Sequence, residues 1–300
     1  MRHRSFSFLL YFVVGLVSYS LYSCEGTLEL NTESPFKVEP EVIAYTKLMT
    51  MTSKSPHPQG GDCWGDLFFQ FVTGNSKVKI YDLSIGALVQ TVSIPSNQRG
   101  FVPKCHCNTV CFGSEYYDEN DSFPLIYVST GYASDGYTGA LVYRIITNQG
   151  KYSFELVQVI RFPEDKSSWT EFIPAGQFGY LCYPSERIIF KVPLPKLIEE
   201  DVIIDRTNAI ATYQFSPQPK WMFSSRNQDR IYYQGKIIFP SGVPNAHEAL
   251  VLVVLNLEKQ VRERIIDFTK MGLTSEPESI FIWNGDLCVA FLDQIVKLSL

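Results

Sequence analysis

A unit of four short strands recurs along most of this 300-residue chain, at intervals of roughly 45–65 residues. Its strands are runs of β-branched and aromatic residues that end at Gly, Pro, Asn or Asp, a pattern typical of antiparallel strands joined by turns. The clearest unit lies between Gly60 and Pro95, with strands predicted at 62–64, 67–72, 78–83 and 87–94. Repeats of this length predict a solenoid or a propeller.

Four more units follow in the same order. Their predicted strands are 105–112, 125–129, 140–146 and 154–162, then one from 169, 178–183, 188–192 and 210–215, then 230–233, 236–239, 249–257 and 261–268, then 279–283, 286–292 and 294–298. The fifth unit is one strand short, whereas an unassigned strand at 42–51 precedes the first unit. Pairing these two ends would close a ring of sheets and cover an open sheet edge. The sequence therefore predicts an all-β chain: a β-propeller of five four-stranded blades, closed by an N-terminal strand that completes the last blade.

The long third unit leaves an alternative open. A sixth blade could lie between Pro193 and Pro219, so six blades compete with five. The same stretch contains the best short helix candidate, residues 194–201 (LPKLIEED). Elsewhere after residue 42, no apolar pattern keeps the helical period for three turns.

The first 23 residues predict a secretory signal peptide. A basic start at residues 2–4 precedes an apolar run of about a dozen residues, short of the ~20 that a membrane span needs. The run leads into LYSC at 21–24, which resembles a bacterial lipobox, although Tyr22 is bulkier than the usual residue there. The resemblance implies that Cys24 becomes the lipidated first residue of the mature chain, with ordinary cleavage nearby as the alternative.

The segment after the signal peptide predicts a flexible tether at 24–41, because it is rich in Glu, Thr, Asn and Ser and contains Pro35 and Pro40. The globular domain would then span 42–300. The formal net charge is −5, and loss of Arg2 and Arg4 with the signal peptide would leave −7. This acidic balance argues against nucleic acid as a partner, and membrane contact would come through the lipid anchor only.

Three motifs carry a resemblance to a known family. VKIYDL at 78–83, followed by Gly86, is similar to the third strand and turn of many propeller blades, and LVVLNL at 252–257 repeats it. EPES at 276–279 is similar to the Glu-Pro-Glu that opens an inner strand in several secreted bacterial propellers. Over 42–300 the chain resembles secreted bacterial β-propeller lipoproteins. The resemblance implies an exported protein, in the periplasm or on the outer membrane as a lipoprotein, or otherwise secreted.

Candidate ligand-binding residues lie where the inner strand of each blade should begin, since those strands line the channel of a propeller. The principal candidates are Asp62, His106, Asn108, Glu171, Glu276 and Glu278. The same strand starts also offer Gln59, Gly60, Gly61, Trp169, Asn227, Gln228 and Asp229. Such a ring could hold a hard divalent cation such as calcium, which favours oxygen ligands. The competing interpretation is that these side chains cap strand ends and bind backbone N–H groups of neighbouring blades.

The cysteines allow several states. Apart from Cys24, six remain, and buried thiols are favoured over one or two disulfides. Cys105, Cys107 and Cys111 would stand in a row on one face of a strand, which is a poor arrangement for a tetrahedral metal site.

Two functions remain open. The first is a monomeric binding or scaffold propeller at the cell envelope, which engages a glycan, a peptide or an envelope protein through one face. Tyr116, Tyr117, Tyr132 and Tyr137 lie in polar loops that could line such a face. The second is a metal-dependent hydrolase or lactonase-like enzyme with its centre at the channel mouth. The chain lacks a Gly-x-Ser-x-Gly or His-Glu-x-x-His motif, which favours the first function, but an oxygen-rich channel needs no such motif.

Overall fold

The computed structural model describes residues 38–51, 57–74, 77–94, 106–130, 138–163, 170–183, 188–197, 201–215, 227–244 and 249–299. These residues form five antiparallel sheets arranged as a five-bladed β-propeller. Counted along the chain, the first strand of blade 1 touches those of blades 2 and 5, and the first strand of blade 3 touches those of blades 2 and 4. Blades 4 and 5 meet through the second strand of blade 4 and the first strand of blade 5. The prediction of an all-β propeller with five blades is confirmed.

Each blade takes its strands nearly in chain order. Blade 1 contains β2 (Pro58–Trp64), β3 (Leu67–Val72), β4 (Lys77–Asp82) and β5 (Ala87–Ser93). Blade 2 contains β6 (Thr109–Phe112), β7 (Ile126–Ser129), β8 (Thr138–Asn148) and β9 (Lys151–Phe162). Blade 3 contains β10 (Glu171–Ala175), β11 (Phe178–Tyr183), β12 (Ile188–Pro193) and β14 (Ala211–Gln214). Blade 4 contains β15 (Ile231–Tyr233), β16 (Lys236–Ser241), β17 (Val251–Asn256) and β18 (Val261–Asp267). Blade 5 contains β19 (Pro277–Trp283), β20 (Asp286–Phe291), β21 (Gln294–Leu298) and the N-terminal strand β1 (Tyr45–Thr50).

The N-terminal strand closes the ring as predicted. β1 is antiparallel to β21, with Tyr45 opposite Leu298 and Thr50 opposite Gln294. Just before β1, Glu41 forms a parallel bridge to Ile266 in blade 4. The segment that enters the propeller is therefore bonded to two blades, and the end of the predicted tether is already part of the folded domain.

The stretch between blades 3 and 4 differs from its prediction. β13 (Asp201–Ile203) adds to blade 2 as a fifth strand, parallel to β9. No helix occupies the described residues of the 194–201 candidate, and the described 3₁₀ helix lies later, at Arg206–Asn208. The apolar side chains at 194, 197 and 202 pack against the core around blades 2 and 3. β13 pairs with the outer edge of β9, and the described residues of 193–219 contain neither an α-helix nor a sixth blade.

Aromatic pairs cross all five interfaces between blades and account for much of the Phe and Tyr content. Flat rings fill the wedge between two twisted sheets, and each pair adds about 0.5–1.5 kcal/mol beyond its buried area. The pairs, in order around the ring, are Phe71–Phe154, Tyr127–Phe172, Tyr180–Tyr232, Phe268–Phe291 and Phe68–Phe281, with ring centroids 4.4–6.0 Å apart.

The predicted signal peptide (1–23) and most of the predicted tether (24–41) lie outside the described residues and stay predictions. Within the described part of the chain, no helix is both long and apolar enough to span a membrane.

Candidate functional site

Asp229 lies at the centre of the polar channel and joins several blades. Its Oδ2 accepts hydrogen bonds from the backbone N–H groups of Gly61 (3.1 Å) and Ile280 (3.2 Å). Its Oδ1 accepts from those of Val110 (3.1 Å) and Arg230 (2.8 Å). Burial raises the pKa of Asp229 well above its ordinary range, while the N–H donors act in the opposite direction. All its hydrogen-bonding capacity is directed at the fold, so this carboxylate has a structural role.

Glu171 and Asn108, two of the predicted site residues, also serve the fold. The buried carboxylate of Glu171 forms an ion pair with the buried guanidinium of Arg230 and accepts from Asn108 Nδ2. The same Asn108 amide donates to the carbonyl of Asn227 (2.9 Å). Burial raises the pKa of Glu171, and the charge of Arg230 opposes that shift. This network connects blades 2, 3 and 4.

Asp62, a third predicted site residue, connects blades 1 and 2. Its carboxylate accepts from the N–H of Phe112 (2.7 Å) in β6 and from that of Cys63 (2.7 Å). Burial raises the pKa of Asp62 to about 7, and the two N–H donors lower it by less. The hydrogen-bond donors to Asp62 are therefore backbone N–H groups of blades 1 and 2.

Glu278 and Glu276, the remaining predicted carboxylates, lie at the start of β19 and are brought together with a histidine. One donor atom from each of His57, Glu276 and Glu278 lies within 4.8 Å of the others. His57 Nδ1 is 3.7 Å from Glu278 Oε1. Glu276 Oε1 accepts from Gln228 Nε2 (2.8 Å), which comes from the start of blade 4. This group, here called the entrance cluster (His57, Glu276 and Glu278), belongs to blades 1 and 5 at one end of the channel.

Glu278 is the exceptional member of the entrance cluster. Its side chain is only 1% exposed, and neither carboxylate oxygen has a hydrogen-bond partner among the described residues. Burial raises its pKa well above the ordinary range, and the charges of Glu276 and Asp229 add to that effect. Buried carboxylates in proteins are normally paired or hydrogen-bonded, because their desolvation is costly. The fold itself does not account for this side chain.

His57 was missed by the sequence reasoning because the first strand was predicted to begin at Asp62, whereas β2 begins at Pro58. The signal that could have moved the boundary is the Gly60-Gly61 pair, since glycine within a strand often marks a close approach of another backbone. A Cβ at Gly60 would stand 2.6 Å from the carbonyl oxygen of Asn108. The two glycines let β2 continue towards the channel entrance and place His57 there.

His106 is half-buried, and its backbone N–H donates to the carbonyl of Thr130 (2.8 Å). Burial lowers the pKa of its imidazole, and the nearby His57 lowers it further. Cys107 has a φ of 56°, so the backbone leaves the strand conformation there and β6 begins only at Thr109. The predicted strand through 105–112 is therefore shorter, and the alternation that would align Cys107 with Cys111 is broken.

The remaining predicted positions are cysteines and aromatic residues, and the structure describes only some of them. Cys24, Cys105, Tyr132, Tyr137 and Trp169 lie outside the described residues. No disulfide joins the five cysteines that the structure describes, which are Cys63, Cys107, Cys111, Cys182 and Cys288. Tyr116 and Tyr117 are exposed, and the guanidinium of Arg144 lies over the ring of Tyr117 at 4.8 Å.

No family model matches this sequence, and no curated protein sequence is similar to it. Among solved structures, glutaminyl cyclase from Myxococcus xanthus matches with a TM-score of 0.53 and 9% identity, covering 87% of this chain and 98% of that chain. A putative oxidoreductase (glucose dehydrogenase) from Thermus thermophilus matches with a TM-score of 0.47 and 9% identity, covering 86% and 100%. BamB from Moraxella catarrhalis matches with a TM-score of 0.31 and 9% identity, covering 78% and 54%. The first likeness shows the fold alone, and the other two are too loose to carry an argument.

Proposed function

We propose that this chain is an exported, lipid-anchored propeller that acts as a binding module at the cell envelope and takes its ligand at the entrance cluster. The observation that carries the proposal is Glu278, a buried carboxylate that accepts no hydrogen bond from the described residues. A protein keeps such a group at a cost in stability, and groups of that kind are concentrated at functional sites.

The other carboxylates of the channel make the contrast clear. Asp229, Asp62 and Glu171 each have N–H or guanidinium partners from neighbouring blades. Glu278 has no such partner among the described residues, and its Oε1 lies 3.7 Å from Nδ1 of His57. Since Glu276 adds a second acidic group, the site is suited to a ligand with a cationic centre.

Export and lipidation are part of the proposal on sequence grounds. The basic start, the short apolar run and the LYSC at 21–24 support a signal peptide that ends at a lipidated cysteine. A metal-dependent hydrolase would use the same three side chains, and substrate turnover would distinguish it from a binding module.

The test compares two buried glutamates that receive the same substitution. Glu278→Gln should raise the free energy of unfolding of the ligand-free protein by about 1–2 kcal/mol, because it removes an unpaired buried acid. Glu171→Gln should lower it by about 3 kcal/mol, because it leaves the Arg230 guanidinium buried without its counter-charge. Chemical denaturation followed by tryptophan fluorescence at pH 7 measures both. If the two variants are destabilised alike, Glu278 is a structural residue and the proposed binding site is wrong.

A further inference from the structure

We propose that the entrance cluster binds a divalent transition-metal ion, with Zn²⁺ as the first choice, through His57, Glu276 and Glu278. The inference deepens the proposed function and rests on it, because it names the ligand class of the same site.

The spacing of the donor atoms is the first argument. Donors bound to a tetrahedral ion at bond lengths near 2.1 Å stand about 3.4 Å from one another. His57 Nδ1 and Glu278 Oε1 are already 3.7 Å apart, and the three donors all lie within 4.8 Å. Small side-chain rotations would bring them to bonding distance. Because His57 is half-exposed, it has room for such a movement.

The chemistry of the donors selects the class of ion. Calcium takes about six to eight oxygen ligands, whereas this cluster offers one imidazole nitrogen and two carboxylates. Imidazole together with carboxylate suits zinc and its neighbours in the first transition row. The structure thus favours a different ion from the hard cation that the sequence suggested, because His57 was absent from the sequence-based ring.

Glu278 is the second and independent argument. A carboxylate that is 1% exposed and accepts no hydrogen bond from the described residues lacks the partner that its burial requires. A cation bound by its oxygens would supply that partner and would also offset the repulsion from Glu276 and Asp229.

An amide side chain supports one of the outer donors. Gln228 Nε2 donates to one oxygen of Glu276 at 2.8 Å, which orients the carboxylate, as supporting contacts commonly do for metal ligands. His57 Nδ1 lies 2.9 Å from the carbonyl of Pro58 and 3.0 Å from Gln59 Nε2, which itself donates to that carbonyl at 2.7 Å. An ion bound at Nδ1 would replace the contact with Gln59, and Gln59 would keep its bond to the carbonyl.

Three protein donors leave at least one position of a tetrahedral ion for water or for an oxygen of another molecule. Catalytic zinc sites have this composition, whereas structural zinc sites have four protein ligands. The bound ion would therefore be the point at which a molecule with a carboxylate or another anionic oxygen reaches the propeller.

The experiment is isothermal titration of the chelator-treated protein with ZnCl₂, MnCl₂ and CaCl₂. We expect one Zn²⁺ per chain, bound at least about 100-fold more tightly than Ca²⁺. His57→Asn and Glu278→Gln should each weaken Zn²⁺ binding by about tenfold or more. Glu263→Gln, which changes a partly exposed glutamate next to Lys236, is the matched control and should leave it unchanged.

Three outcomes would overturn the metal assignment. The protein could bind no ion, it could bind Ca²⁺ as tightly as Zn²⁺, or its Zn²⁺ affinity could be unchanged by His57→Asn and Glu278→Gln. If no ion binds but Glu278→Gln still stabilises the protein while Glu171→Gln destabilises it, the binding site stands and only its ligand class is wrong. If Zn²⁺ binds as expected but Glu278→Gln fails to stabilise the ion-free protein, the metal assignment stands and the stability argument for the binding module fails.

Discussion

Two buried acidic residues show that the groups around a side chain determine its role. Asp229 and Glu278 are both buried and both begin an inner strand region, yet Asp229 accepts four backbone N–H groups and Glu278 accepts none from the described residues. The first holds blades together, and the second is the carboxylate at which we propose that a ligand binds. The residue type and its place in the repeat are similar in the two cases, so only the neighbouring backbone distinguishes them.

We predict that Asp229→Asn lowers the free energy of unfolding by about 3 kcal/mol. An amide has one acceptor oxygen, so its NH₂ group would face two of the four backbone N–H donors that now bind the carboxylate. Denaturant titration measures the loss. The control is Asp205→Asn at the exposed cap of the 3₁₀ helix, where asparagine caps as well as aspartate and the change should stay within about 0.5 kcal/mol. Equal effects of the two substitutions would contradict the central role of Asp229.

At the scale of elements, closure depends on a strand that comes from the other end of the chain. β1 supplies the outer strand of blade 5, and Glu41, which lies four residues before β1, accepts a charged hydrogen bond from Arg264 Nε of blade 4 at 2.5 Å. Without β1, the outer edge of β21 would expose unpaired N–H and C=O groups, which favours aggregation.

We predict that a chain lacking 42–51 aggregates or unfolds without a single cooperative transition. A synthetic peptide of residues 38–51 added in trans should restore one transition, because strand addition to an open sheet edge supplies the missing hydrogen bonds. Light scattering and thermal unfolding monitored by circular dichroism would measure both effects, with a peptide of scrambled sequence as the control. Full stability of the truncated chain would refute closure by β1.

On the scale of the whole molecule, the chain shares its fold with a glutaminyl cyclase structure at 9% identity. A fold by itself does not specify a function, so the function that we propose rests on the residues of the entrance cluster. The location that we propose rests on a different part of the chain, the N-terminal segment that precedes the propeller.

We predict that Cys24→Ser releases the protein from the membrane fraction of a bacterium that expresses the full chain, because the residue that would carry the lipid is removed. Fractionation followed by immunoblotting measures the distribution. Cys63→Ser, at a half-buried cysteine inside blade 1, should leave the wild-type distribution unchanged. Membrane association that survives Cys24→Ser would mean that the chain is held by something other than a lipid at this residue.

The sequence favoured five blades over six and predicted the order of most strands and the use of 42–51 to complete the last blade, and the structure confirms the five blades and their closure. These features depend on the local alternation of apolar residues, on turn residues and on the number of strands, so they can be predicted from the sequence. It also identified Glu276 and Glu278 as candidates, because inner strands begin at predictable places in a repeat. It misplaced the start of β2 and missed β13, because both depend on backbone segments from a neighbouring blade.

Only the tertiary structure decided which polar side chains of the channel are already satisfied. Asp62, Asn108 and Glu171 find their partners on residues about 50 to 120 positions away in sequence, whereas Glu278 finds none among the described residues and meets His57 instead. Hydrogen bonds and ion pairs act over a few ångströms in space, and no local pattern reports which distant segments come that close. That is the physical reason why the propeller could be predicted from the chain but its entrance cluster could not.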